Sequence, residues 1–243
     1  MKQTLILFII VNVIPLPGFS QLWRTRRIEL TGAIGTTHFF SDIGRYSPGE
    51  NPIGIRDLSI ANLGINVMAD ARYRINRKFT VRTNLAGGYL HASDIHGSRA
   101  GRDFEALTRF FQPALIGEYY ILNNGHGNSF LFLTNKRSTR SPFTSFLDIY
   151  AFAGIGGVLW DVTPNPPLAL HITNTRGFTA VIPLGVGVSK NFSGDFKGGF
   201  EVGGRYALKD NIDSYVSASD KDSFYFLNAT FTWKIKTIRF PSF

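Results

Sequence analysis

Eight segments of this chain alternate apolar residues with small or polar ones, and a period of two fixes extended strands that carry two unlike faces. In Phe196 to Ala207, Phe196, Phe200, Val202 and Tyr206 share one face with Gly198 and Gly204. Lys197, Glu201 and Arg205 share the other with Gly199, Gly203 and Ala207. A strand that is apolar on one side and charged on the other fits a wall between lipid and an enclosed polar interior. The second segment alternates most regularly, with Leu63, Ile65, Val67, Ala69, Ala71, Tyr73 and Ile75 against Asn66, Met68, Asp70, Arg72 and Arg74.

The segments run over 26–40, 62–76, 78–91, 107–122, 144–160, 179–192, 195–208 and 223–236. They predict an all-β fold, an eight-stranded antiparallel transmembrane β-barrel with a filled polar lumen. No later apolar run is long enough for a spanning helix, so a chain of this kind can stay in a bilayer only as closed strands whose backbone groups pair with one another. The start of the chain reads as a cleaved export signal over residues 1–20. Lys2 is followed by the apolar run Leu5 to Ile14, then by Gly18 and Ser20 ahead of Gln21, while Pro15 and Pro17 close the run. Residues 21–243 then form one barrel domain, with no linker-like composition shift to divide it.

Asn76 with Arg77, and Ser193 to Asp195, are expected as tight periplasmic turns. With both termini periplasmic, 41–61, 92–106, 161–178 and 209–222 face outward. The long connection 123–143 stays periplasmic on this count, and its Phe130, Phe132, Lys136, Arg137 and Arg140 form a candidate docking element.

Collecting inward positions gives five acids, Glu29, Asp70, Glu118, Asp148 and Glu201, against five bases, Arg72, Arg74, Arg82, Arg205 and Lys234. An eight-stranded barrel is barely wide enough for its own side chains, so these groups are expected to pair across the lumen as a structural network and plug it. Paired carboxylates can also perform acid/base chemistry, but here each has a basic partner within reach. His91, Ser93, Asp94 and His96 are neighbours in sequence and would be the place to look for a lipid-modifying enzyme or a metal site; their spacing fixes no geometry. No catalytic residue, cofactor or metal is assigned. With no cysteine, disulfides and thiolate metal sites are excluded. The net charge of +9 falls to +8 when Lys2 leaves, and in an exported barrel it reads as directed at anionic lipid headgroups and lipopolysaccharide rather than nucleic acid.

The segment Arg27 to Gly44, RIELTGAIGTTHFFSDIG, resembles the opening strand of the small outer-membrane barrels of the Bacteroidota type IX secretion system, the PorG-like family. Further points of resemblance follow in order: ARYRIN at Ala71 to Asn76, the aromatic strand Ser145 to Gly157 ending in GIGG, IPLGVGV at Ile182 to Val188, and FEVGGR at Phe200 to Arg205. Where many relatives carry a Tyr-Leu-Asp-Asp-like stretch, this chain reads LKDNIDSYV at Leu208 to Val216, so only the general acidity is kept. The resemblance implies a non-enzymatic accessory that ties periplasmic ring lipoprotein subunits to the outer membrane during protein transport, with docking surfaces at 123–143 and 237–243. The alternatives are a general structural or adhesive small barrel and, third, an outer-leaflet lipid-modifying enzyme.

Overall fold

The computed structural model describes residues 26–40, 43, 62–94, 100–123, 147–172, 174–192, 195–209, 212 and 222–236. Eight strands close into one barrel in sequence order: β1 (Ile28–Phe40), β2 (Leu63–Arg74), β3 (Phe79–Ser93), β4 (Glu105–Leu122), β5 (Leu147–Pro164), β6 (Arg176–Asn191), β7 (Phe196–Ala207) and β8 (Ser223–Ile235). Every neighbouring pair is antiparallel, and β1 closes on β8 from Ile28 opposite Ile235 to Phe40 opposite Ser223. Closure gives each of the eight strands a neighbour on both sides, except where β3 beyond Gly88 and β6 before Val181 outrun β2 and β7. The one α-helix among the described residues, α1 (Pro166–Ala169), is a single turn capped by Asn165, whose side chain accepts from the Leu168 amide.

Four strands exceed the range the apolar pattern suggests, β3 by running on to Ser93. β4 begins at Glu105, β5 continues to Pro164 and β6 begins at Arg176, so Asp161 to Pro164, expected in an outer loop, are strand residues. Asp161 lies opposite Arg176, and Thr163 lies opposite Leu107. The reason is that ladder pairing needs only extended backbone. Val162 still points inward while Asp161 and Thr163 point outward, so the hairpins run on past the height at which the outer face stops being apolar. The wall is therefore taller on one side, with strands of 15 to 18 residues over β3 to β6 and of 12 or 13 elsewhere.

The outside is apolar. Ile34, Val67, Leu85, Leu115, Ile155, Val186 and Val202 are exposed across its middle. Aromatic side chains flank this band on both sides. Tyr73, Phe79, Tyr119, Phe196 and Trp233 lie towards the end where the chain enters and leaves the barrel, and Tyr89, Phe111, Phe178 and Tyr206 lie towards the opposite, loop end. Phe79 and Tyr89 are ten residues apart on β3. At about 3.4 Å per residue and a tilt near 40°, that separation spans about 26 Å, the height of a bilayer's apolar slab between aromatic girdles. No helix among the described residues is long and apolar enough to cross a membrane, and here the strands supply the crossing.

Tight curvature depends on missing side chains. A Cβ at Gly88 would fall on the backbone of Ile65 and Asn66 in β2, and one at Gly154 on the backbone of Leu115 and Ile116 in β4. Adjacent strands approach too closely there for any side chain. Pro113 and Pro183 interrupt the two ladders of β5, which lack paired residues between Phe111 and Ala114 on one side and between Val181 and Leu184 on the other. A shallow apolar dent lined by Leu85, Pro113, Leu115, Ile155 and Ala180 lies on the outer wall at this point.

Candidate functional site

Among the described residues, chemistry-bearing side chains are concentrated in the barrel interior, which is built in layers. Alternation turns Glu29, Asp70, Arg72, Arg74, Arg82, Glu118, Asp148, Glu201, Arg205 and Lys234 inward, and all ten are buried. Most come from the ends of strands nearest the chain termini, so the charges lie in the half of the lumen at that end.

Two guanidinium groups and three carboxylates form the centre of this layer. Glu201 Oε1 accepts from Arg72 Nη2 at 2.6 Å, Arg82 Nη1 at 2.7 Å and the Tyr150 hydroxyl at 2.7 Å, and Oε2 accepts from Arg82 Nη2 at 3.1 Å. Asp70 accepts from Arg82 at 3.1 Å, Arg72 at 3.3 Å and Asn84 Nδ2 at 2.5 Å. Glu118 lies 3.2 Å from Arg82 Nη1 and 3.6 Å from Arg72 Nε. Nearer the rim, Glu29 holds Arg74 at 3.1 Å and Lys197 at 3.0 Å. Aromatic rings fill the gaps: Arg74 lies 5.0 Å from the centre of Tyr120, and Arg82 lies 4.7 Å from that of Phe152. Room for Phe152 and Tyr150 comes from β6, where a Cβ at Gly185 or Gly187 would strike those rings.

Lys197 is not among the inward charges expected from sequence, although it shares the face of Glu201 and Arg205. It stands beside a turn, where a lysine reads as a rim charge; the period-two pattern alone would place it inside. Tyr150 is likewise identifiable from its parity with Asp148. With Lys197 the inward positions of the eight strands carry five acids and six bases among the described residues. Not every one is ion-paired across the lumen as expected. Arg205 donates to the Gly203 carbonyl at 3.0 Å and lies 4.2 Å from the centre of Phe226, with no described carboxylate among its contacts. It is four residues along β7 from Glu201, about 13 Å of strand, which carries it out of the charged layer. Lys234 donates to Asn191 Oδ1 instead of a carboxylate, because it stands near the end of β8 at the rim.

Between the charges and the loop end, Asn84 Nδ2, Asn228 Nδ2 and Arg205 Nη2 surround Met68 Sδ at 3.6, 3.3 and 4.0 Å. Above them Leu90, Phe104, Phe110, Trp160, Phe224 and Phe226 pack into an apolar plug. Leu168 of α1, Ile43 and Ile212 belong to the same buried cluster. Asp222 accepts from the Ile212 amide at 2.7 Å, holding that loop residue in place. Among the described residues, salt-linked side chains occupy one half of the lumen and aromatic packing the other, the filling expected of so narrow a barrel. In planar bilayers the folded barrel is expected to show no large, steady open level, and a conductance step of stable size in every insertion would contradict the filled interior.

On the loop side, His91 and Asp94 are each held by another described side chain. His91 Nε2 lies 3.0 Å from Glu105, and Asp94 is held by Arg102 through contacts of 2.9 and 3.1 Å. His96 and His126 lie outside the described residues, as do residues 1–25 and the docking candidates Phe130, Phe132, Lys136, Arg137 and Arg140. His171 packs its ring on Phe104 in the cap. Among the described residues no group of three or more His, Cys, Asp and Glu side chains is arranged to hold a metal.

No family model matches the chain, and no curated protein matches it. Solved structures of small outer-membrane barrels do. The N-terminal barrel domain of Pseudomonas aeruginosa OprF is 12% identical, with a TM-score of 0.43 over 85% of this chain and 98% of that one. Neisserial surface protein A is 14% identical, with a TM-score of 0.44 over 86% and 97%. The outer membrane protein OprG of Pseudomonas aeruginosa is 12% identical, with a TM-score of 0.47 over 88% and 97%. At these identities the likeness concerns the fold: a closed eight-stranded antiparallel barrel.

Proposed function

We propose that this chain is a non-conducting, non-enzymatic outer-membrane barrel that anchors periplasmic components of the type IX secretion machine. The observation that supports it most is the filled lumen. Over the described residues the interior is occupied by a buried ion network and an aromatic plug, an arrangement that suits a fixed body in the membrane better than a pore. The secretion role rests on the ordered resemblance of the segments from Arg27 to Arg205 to the PorG-like family. In this reading residues 1–20 direct export and are removed, and both termini face the periplasm. The basic connection carrying Phe130, Phe132, Lys136, Arg137 and Arg140 contacts the ring lipoprotein.

Deletion of the gene, followed by measurement of secreted proteins that bear the system's C-terminal signal domain, tests the role. Those proteins are expected to accumulate in the periplasm, and normal secretion would overturn the assignment. Charge reversal at Lys136, Arg137 and Arg140 is expected to reproduce the loss while the barrel still reaches the outer membrane.

A further inference from the structure

Exposed charge is distributed unevenly between the two ends of the barrel. At the loop end both signs occur together among the described residues, as in the His91–Glu105 and Asp161–Arg176 pairs. At the terminus end Arg27, Arg77, Lys78, Lys190 and Lys236 ring the barrel, and the described acid beside them, the half-buried Asp195, is bound to Arg26 at 2.9 Å.

These cations stand at the aromatic girdle. Arg27 Nη1 donates to the Tyr73 hydroxyl at 3.2 Å, and Lys78 Nζ lies 5.9 Å from the centre of the Tyr119 ring. Lys190 is paired in the ladder with Gly198, over which the Phe192 ring lies, and its exposed side chain leaves the outer face at that level. Long basic side chains at the edge of an apolar band keep their stems in the hydrocarbon and extend their heads to the headgroup layer. A rim of one sign placed there, with Arg27 and Lys78 set against tyrosines, complements phosphate diesters that carry net negative charge.

We propose that the terminus-end rim, chiefly Arg77, Lys78 and Lys190, binds anionic phospholipid headgroups of the leaflet it faces. The proposal rests on the reading of the chain as a membrane barrel, and the test separates the two. The barrel is reconstituted in phosphatidylcholine vesicles containing trace spin-labelled phosphatidylglycerol or phosphatidylcholine, and the fraction of each label immobilised at the protein is read by electron paramagnetic resonance. At low salt, phosphatidylglycerol is expected to be preferred by about threefold or more. The preference is expected to collapse towards parity in 1 M salt, where the screening length is about 3 Å. It is also expected to be lost in the R77Q/K78Q/K190Q variant and kept in R109Q/R176Q, the folding of both being checked by heat-sensitive gel mobility. Failure of the wild type to enter vesicles contradicts the barrel itself. Entry with equal immobilisation of both lipids, or with a preference unchanged in R77Q/K78Q/K190Q, overturns the rim alone. Tight binding of poly-glutamate to that rim without lipid preference would assign it to an acidic polypeptide and also overturn the proposal.

Discussion

Replacing Arg82 with methionine is expected to destabilise the barrel by about 3–5 kcal/mol, the usual cost of removing one partner from a buried ion cluster. Arg82 contacts Asp70 at 3.1 Å, Glu118 at 3.2 Å and Glu201 at 2.7 Å, with essentially no solvent exposure on any of the four. Three carboxylates against two guanidiniums become three against one, so the net charge of the cluster goes from −1 to −2 in a medium that screens poorly. The loss is readable as a lowered urea midpoint for unfolding from vesicles. Adding Glu201→Gln returns the cluster to −1, so the R82M/E201Q double variant is expected to be more stable than R82M alone. Two non-adjacent surface substitutions would simply add. A double variant as unstable as the sum of its parts would mean that the two side chains do not share one network.

Valine at Gly88 or at Gly154 is expected to be at least as damaging, at or above about 3 kcal/mol, because the added atoms meet backbone and cannot be accommodated by a rotamer change. The nearest fixed atoms to a Cβ at Gly88 include Asn66 Cα at 2.8 Å, and those at Gly154 include Ile116 Cα at 2.9 Å. Separating the strands enough to admit a side chain breaks ladder bonds that lipid cannot replace. Gly32 is the internal control: it lies on the outer face, and nothing stands within 4 Å of the place a Cβ would take, so Gly32→Val is expected to fold normally. Heat-sensitive gel mobility after refolding distinguishes them, and equal behaviour of all three variants would refute close strand approach as the reason for the inward glycines.

The strand order, the two faces and most of the inward charges were legible because alternation is local: a residue's parity along a strand settles whether it meets lipid or lumen. Glu201 and Asp70 needed nothing more. What parity cannot provide is height in the barrel. Arg205 has the same face as Glu201 but a different layer, and only the relative stagger of β2, β7 and β8 shows that its contacts are Met68, Phe226 and the Gly203 carbonyl rather than a carboxylate. The same limit explains Lys197, whose position beside a turn does not reveal that Glu29 of β1 reaches it across the closed sheet. It also explains Asp161 to Pro164. The apolar code reports where lipid ends, and pairing with Leu107 and Arg176 continues beyond that height.

The apolar plug was hidden for a related reason. Phe110, Phe224 and Phe226 sit at inward positions, where a polar lumen was expected throughout, and an aromatic residue there is indistinguishable by composition from one facing lipid. Phe110 and Phe226 stack with ring centres 5.5 Å apart, a contact between β4 and β8 that no local pattern encodes.

The absence of cysteine from the chain allows unique labels to be placed without other changes. Single spin labels at Ala229, Thr230, Phe231 and Thr232 of β8 in lipid vesicles, with oxygen accessibility measured at each, test the two-faced wall most directly. High accessibility at 229 and 231 with low accessibility at 230 and 232 is the predicted result, since Phe231 is exposed on the outer face while Thr230 and Thr232 are buried. Accessibility that is uniform along the strand, or reversed in phase, would contradict a barrel with lipid outside and its own charges within.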